Sequence, residues 1–210
     1  MTGVANRPFI VAALGATGSG KSLFVHALIT RRAPRRLLVW DFSPEDEYAR
    51  HCHYVGFGEL VEELTAAGQR LPFALAVHPS PDPAIRARQF DLFCTAAYRV
   101  GSCMLVIEEL RFVTKPSWAP VPWQQVILTG RKRGLEVIGT SQRPAHVDKD
   151  FLSSATLVHV GCLGYEEDEK TAARELRVPL EQLHALAPLD WIEADRSARP
   201  ARITTGRISP

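Results

Sequence analysis

Cysteine is scarce and scattered in this 210-residue chain: Cys52, Cys94, Cys103 and Cys162 are the four, and they form no CxxC pair. His51-Cys52-His53 has no second ligand pair at a usable spacing, so it reads as a turn leading into a strand rather than a metal site. Unpaired thiols point to a reducing, cytoplasmic setting. Long apolar runs are missing too. No stretch approaches the roughly 18 apolar residues needed to cross a membrane, and a soluble protein is expected. The run from Phe9 to Ala16 follows Arg7 and superficially resembles a signal peptide, but cleavage there would destroy the glycine-rich segment described below. Charge of one sign is not in excess: 25 Lys and Arg against 23 Asp and Glu leave a net +2. Composition alone therefore announces no nucleic-acid partner. The basic residues do cluster, at Arg31-Arg32 with Arg35-Arg36, at Arg131-Lys132-Arg133, and through Arg196, Arg199, Arg202 and Arg207. A clustered positive face can bind phosphates at near-zero net charge. Repeats and low-complexity blocks are absent.

The chain is 46% hydrophobic and 23% charged, ordinary for one globular domain of this length. We expect a single domain over 1–210, with a core at about 8–187 and C-terminal strands and a basic tail at 188–210. Apolar runs of strand length alternate with helical patterns. Strands are expected at Pro8–Leu14, Leu37–Phe42, His53–Phe57, Phe73–His78, Cys103–Glu108, Leu135–Thr140 and Thr156–Cys162. Helices are expected at Gly20–Arg32, Gly58–Gln69, Pro83–Val100, Pro122–Lys132 and Glu166–Arg177. This alternation predicts an α/β fold, with a mostly parallel sheet and helices on both faces. Trp191–Ala194 and Arg202–Thr205 predict a small antiparallel addition at its edge.

Between the first strand and the first helix stands Gly15-Ala16-Thr17-Gly18-Ser19-Gly20-Lys21-Ser22, which has the spacing and the context of a P-loop (Walker A). The glycines let successive backbone N–H groups turn toward phosphate oxygens, and the helix N-terminus adds partial positive charge. Lys21 supplies a cation to the β and γ phosphates of ATP, and the Ser22 hydroxyl is suited to Mg2+. The expected phosphate-binding set runs from Gly15 through Leu23.

Two more strand ends carry polar chemistry. Met104-Leu105-Val106-Ile107 runs out into Glu108-Glu109, placing two carboxylates at the edge where open α/β sheets bind ligands. By order along the strand, Glu108 is expected to hold magnesium and Glu109 to polarise the attacking water. The apolar Leu135–Gly139 leads into Thr140-Ser141-Gln142-Arg143-Pro144. An amide at that tip, Gln142, could bond both the lytic water and the γ-phosphate, and nearby arginines could neutralise transition-state charge. An ordinary turn closed by Pro144 is the competing reading.

Four pieces together resemble the HerA/FtsK superfamily of DNA-translocating ATPases: Gly15–Ser22, Leu38-Val39-Trp40-Asp41 followed by Glu47-Tyr48, Val106-Ile107-Glu108-Glu109, and Gly130-Arg131-Lys132 leading into Ser141-Gln142-Arg143-Pro144. They stand in the family's order and span about Phe9 to Ala187. The Glu-Glu pair is most similar to the HerA branch, since FtsK-type members more often have Asp-Glu. The resemblance implies a RecA-like core with Glu109 as catalytic glutamate, Gln142 as sensor, Asp41 as a further site residue, and Arg131, with Arg143 second, as an arginine finger acting across a subunit boundary. Full-length HerA proteins carry an N-terminal β-barrel and a helical insertion. A core of this size resembles instead the genome-packaging ATPases of icosahedral viruses with internal membranes.

The implied function is an ATP-driven double-stranded DNA translocase working as a homo-oligomeric ring, hexamer or pentamer, with a capsid vertex protein as a further partner. The segment Arg111 to Val121, containing Lys115 and Trp118, is the expected pore loop. A phage morphogenesis ATPase, a cellular HerA-like DNA-processing ATPase and a nucleotide-dependent switch are the alternatives. The first predicts a transmembrane extension, and the last has no need of Glu109. Lys21→Ala should abolish ATP binding or turnover, because it removes the cation facing the β and γ phosphates. Retention of wild-type turnover, measured as phosphate release, would exclude the P-loop assignment.

Overall fold

Strands that are apolar on both faces must be covered on both faces, and the sheet is built from such runs. The computed structural model of the chain describes residues 8–208. The last two residues of the expected basic tail therefore lie outside the described residues. In chain order the elements are β1 (Phe9–Leu14), α1 (Lys21–Arg32), β2 (Arg36–Trp40), β3 (His53–Tyr54), α2 (Phe57–Ala67), β4 (Phe73–Val77), α3 (Pro83–Val100), β5 (Met104–Ile107), α4 (Val121–Thr129), β6 (Glu136–Ser141), α5 (Lys149–Ser154), β7 (Leu157–Gly161), α6 (Glu166–Leu176), α7 (Leu180–His184), β8 (Asp190–Asp195) and β9 (Arg202–Arg207). The strands form a nine-stranded sheet in the order β3-β4-β2-β5-β6-β1-β7-β8-β9. The pairs β3–β4, β4–β2, β2–β5 and β1–β7 are parallel, and β7–β8 and β8–β9 are antiparallel. The mostly parallel α/β sheet with a small antiparallel edge is the architecture expected from the alternation.

The chain gathers into two compact units, one built on Pro34–Glu108 and Ala119–Val137, the other on Ile10–Ala33, Glu109–Trp118 and Ile138–Pro210. In the first, Trp40 is fully buried and meets Phe57, Phe90 and Phe93 edge-on, with ring centroids at 5.9, 5.1 and 5.6 Å. α3 begins where the Asp82 carboxylate accepts the Ala84 and Ile85 N–H groups, with Pro83 in the first turn, both strong start signals. Buried Arg36 donates to the Gly68, Leu71 and Val100 carbonyls, which satisfies acceptors left over where α2 and α3 end. In the second unit β1 lies between β6 and β7, and its last five residues are buried.

Several boundaries differ from expectation. The strand expected at His53–Phe57 stops at Tyr54, and Phe57 instead opens α2. The helix expected to reach Lys132 ends at Thr129. Gly130–Arg133 then winds into a 3-10 turn closed by Gly134 at φ 71°, a left-handed conformation that glycine adopts without strain. The two short helices α5 and α7 had no periodic signal of their own. The edge strands β8 and β9 are longer than expected, at six residues each.

Gly139 on β6 shows how closely this unit is packed. A Cβ there would stand 2.5 Å from both Leu110 Cδ1 and Phe151 Cζ, and both of those side chains are fully buried. Gly139→Ala should therefore cost about 1–3 kcal/mol through overpacking. Urea denaturation would read this as a lower midpoint at unchanged slope, and an unchanged midpoint would contradict it.

Candidate functional site

The loop that leaves β1 is tied at both sides to the ends of its neighbours. Gly15 N–H donates to Ser141 O at 3.2 Å, where β6 ends, and Ala16 N–H donates to Cys162 O at 2.9 Å, just beyond β7. Ser19 N–H turns back to Ala16 O at 3.2 Å, and Phe24 N–H to Gly20 O at 3.0 Å opens α1. Two glycines are required by this path. Gly20 has φ 90°, and a Cβ on it would stand 2.6 Å from Ile208 Cδ1; a Cβ on Gly15 would overlap Ser19 Oγ. Lys21 is the first residue of α1, with its side chain largely buried at 11% exposure. Ser22 is half-buried beside it, while Thr17, Gly18 and Leu23 are exposed.

Glu109 stands opposite that lysine. Its backbone takes the left-handed conformation, φ 49° and ψ 56°, a strained state for a non-glycine residue and one found disproportionately at functional sites. The turn aims its side chain inward, and the residue is 7% exposed. Its N–H donates to Thr140 Oγ1 at 3.2 Å. Oε1 lies 3.9 Å from Lys21 Nζ. Oε2 accepts Arg111 Nε at 3.0 Å and Gln142 N–H at 3.4 Å. The Gln142 side chain turns toward the loop, where its Oε1 accepts the Thr17 hydroxyl at 3.3 Å. Thr17 and Lys21 of the loop are thus brought together with Glu109 and Gln142, from three separate stretches of sequence.

Arg143 is engaged elsewhere. Its Nε donates to Asp168 Oδ2 at 2.6 Å, and its guanidinium lies 4.0 Å over the Tyr165 ring. Asp168 is fully buried, and its other oxygen accepts Ala145 N–H at 3.0 Å. This ion pair fixes the turn that follows β6. Arg131, by contrast, is exposed in the Gly130–Arg133 turn and has no ion-pair partner among the described residues.

Glu108 has different company. It is 6% exposed and accepts the Tyr48 hydroxyl on Oε1 at 2.9 Å. One carboxylate oxygen each from Asp41, Glu47 and Glu108 lie within 4.8 Å of one another. Asp41 is fully buried; it accepts Ser43 N–H at 2.8 Å and the Tyr54 hydroxyl. Burial and the neighbouring Glu108 hold the Tyr48 hydroxyl well above its usual range, and burial and the bond to Asp41 do the same for Tyr54. Both phenols therefore remain protonated donors to carboxylates. His78 stacks on Tyr54 at 4.6 Å and sits 2.7 Å from Asp46. Hard carboxylate oxygens gathered in this way are of the chemical type that divalent cations bind.

Asp41 and the Glu108-Glu109 pair were expected from the sequence; Tyr48 and Tyr54, the donors to Glu108 and Asp41, were not. Nor were Arg111 and Asp168. Glu47-Tyr48 stood in the resemblance without a chemical role, and an arginine two residues after a glutamate carries no signal of its own.

A mostly parallel sheet with a Gly-rich loop after β1, Lys21 opening the next helix, and two acids at the end of β5 define the P-loop NTPase fold. No family model matches the sequence. Protein P9 of Pseudoalteromonas phage PM2 is 28% identical over 177 residues, covering 82% of this chain and 77% of that protein. The genome packaging NTPase B204 from Sulfolobus turreted icosahedral virus 2, in complex with AMPPCP, shares the fold with a TM-score of 0.76 at 15% identity, covering 96% of this chain and 98% of that one. VirB4 of Thermoanaerobacter pseudethanolicus does so with a TM-score of 0.67 at 12% identity, covering 100% and 92%.

Replacing Arg143 separates structural from catalytic use. Arg143→Ala strands a buried carboxylate and should lower unfolding free energy by about 2–3 kcal/mol, short of the range for a fully buried pair because a quarter of the Arg143 side chain is exposed (25%). Unchanged stability with collapsed turnover would make Arg143 the finger instead.

Proposed function

We propose that this chain is an ATP-hydrolysing, ring-forming double-stranded DNA translocase, a subunit of a viral genome-packaging motor. The observation that carries the reading is Glu109, buried and strained, between the Lys21 ammonium and the Gln142 turn. The loop Gly15–Ser22 takes the phosphates through its N–H groups and the α1 terminus. Lys21 faces the β and γ phosphates. Glu109 aligns a water and accepts its proton as the oxygen attacks the γ-phosphorus and the bond to ADP breaks. Gln142, next to Thr17 of the loop, bonds the water and the γ-phosphate and so reports the phosphate's presence.

Ser22 would be the loop's oxygen donor to magnesium, and Glu108, of the Asp41, Glu47 and Glu108 group, would offer a carboxylate. When bound, magnesium neutralises phosphate charge. Arg131, exposed and without an ion pair, is the arginine for a neighbouring subunit's site, a contribution of about 10³-fold or more where triphosphatases use one.

The packaging assignment is supported by the B204 enzymes, described as a genome packaging NTPase and a DNA-packaging ATPase, and by the likeness to a phage protein. Among the described residues no helix is long and apolar enough to cross a membrane. Attachment to a capsid vertex and a cytoplasmic setting in the host belong to the same proposal.

The test is ATP hydrolysis with and without duplex DNA. Turnover should rise several-fold with any duplex sequence. Duplex affinity should fall steeply as salt is raised from low to physiological, since the contacts are with phosphates. DNA-independent turnover, or salt-insensitive and sequence-selective binding, would contradict the translocase.

A further inference from the structure

Glu109 has one oxygen held by hydrogen bonds and one that accepts none from the described residues, facing the Lys21 ammonium at 3.9 Å. Oε2 is gripped by the Arg111 guanidinium at 3.0 Å and by Gln142 N–H at 3.4 Å. Oε1 is buried, accepts no hydrogen bond from the described residues, and faces Lys21. A buried carboxylate oxygen without a donor costs free energy, and such groups point to an unseen polar partner. Oε1 is therefore the oxygen that takes the attacking water, and the grip on Oε2 decides where Oε1 points.

Arg111 belongs to an ordered arm. Leu110–Phe112 is a 3-10 turn, and the Arg111 guanidinium lies 4.4 Å over the Phe112 ring. Thr114 fastens the return: its N–H and hydroxyl both donate to Leu110 O, and its Oγ1 accepts Asp148 N–H at 3.4 Å. Lys115 and Trp118 then close a tight turn by reciprocal backbone bonds of 2.8 and 3.0 Å. The arm tip presents Lys115 and a 55% exposed Trp118. A cation beside an exposed aromatic ring suits contact with a nucleic-acid backbone. Glu109, Arg111, Thr114 and the Lys115–Trp118 turn thus lie on one short, internally bonded stretch of ten residues, 109–118.

We propose that Arg111 is a positioning residue: it holds Glu109 Oε2 so that Oε1 meets the water, and it passes DNA contact at the Lys115–Trp118 turn to that carboxylate. The inference rests on Glu109 being the general base. The arm can then bias catalysis without touching ATP, because a small tilt of the carboxylate changes the alignment of the water, and misplacement of this kind costs about 100-fold.

The experiment measures kcat and KM for ATP in Arg111→Gln and Arg111→Lys, with and without a random-sequence duplex. Arg111→Gln should lower kcat about 10- to 100-fold while KM stays within about threefold and the thermal midpoint is unchanged. Its stimulation by duplex should fall toward none. Arg111→Lys, which keeps the cation, should recover part of both. A wild-type kcat in Arg111→Gln, a KM that rises in step with the loss, or a full duplex stimulation on a reduced kcat would each overturn the proposal. Glu109→Gln, run in parallel, tells the two ideas apart. If it hydrolyses ATP normally, the base assignment fails; if it is inactive while Arg111→Gln is normal, only the role of Arg111 fails.

Discussion

The site depends on how the phosphate loop is anchored. Gly15 and Ala16 leave β1 with their N–H groups already committed to Ser141 O and Cys162 O, the ends of the two strands that flank β1. That suspension fixes the loop against the sheet edge; Ser19 N–H is spent on Ala16 O and Phe24 N–H on Gly20 O, and the N–H groups at the start of α1 are of the kind a ligand takes. It also ties the loop to β6, the strand that supplies Thr140 and leads into Gln142. The polar groups around Lys21 are therefore held by main-chain bonds rather than by side-chain packing alone, and a displaced β6 would carry the loop with it.

Two carboxylates adjacent in sequence have been given opposite surroundings. Glu108 stands among other acids and phenols: Tyr48 donates to it, while Tyr54 donates to Asp41. Acids this close repel one another unless protons or a cation intervene, which gives such a group affinity for a hard divalent ion. Glu109 stands among cations and amides, with Lys21, Arg111 and the Gln142 N–H around it. The left-handed turn at Glu109 separates the two. One side chain stays with the acids and the next turns to the lysine, at a local strain cost of about 1–2 kcal/mol.

Much of this was legible from the chain because it rests on pattern. Apolar runs such as Met104–Ile107 announce covered strands, the glycine spacing of Gly15–Ser22 announces a loop of left-handed turns, and polar residues at strand tips announce a ligand edge. Short elements were not legible. α5 and α7 are too brief to show a period, and β3 pairs through only two residues. Nor were the partners of the acids. Tyr48, Tyr54 and Asp168 act through contacts set by tertiary structure, Arg111 through the local turn at Glu109, and Arg143, the second finger candidate by resemblance, is paired with Asp168. The helix expected through Lys132 gives way locally to a 3-10 turn, which carries Arg131 and is closed by Gly134 in the left-handed conformation.

If neighbouring carboxylates divide the labour, ATP affinity and single-turnover hydrolysis measured in Glu109→Gln and Glu108→Gln side by side will differ. Glu109→Gln should bind ATP within about threefold of wild type and hydrolyse it about 100-fold or more slowly, while Glu108→Gln should show a shifted dependence on magnesium. Full hydrolysis by Glu109→Gln, with the trapped ATP-bound state in Glu108→Gln instead, would contradict that division.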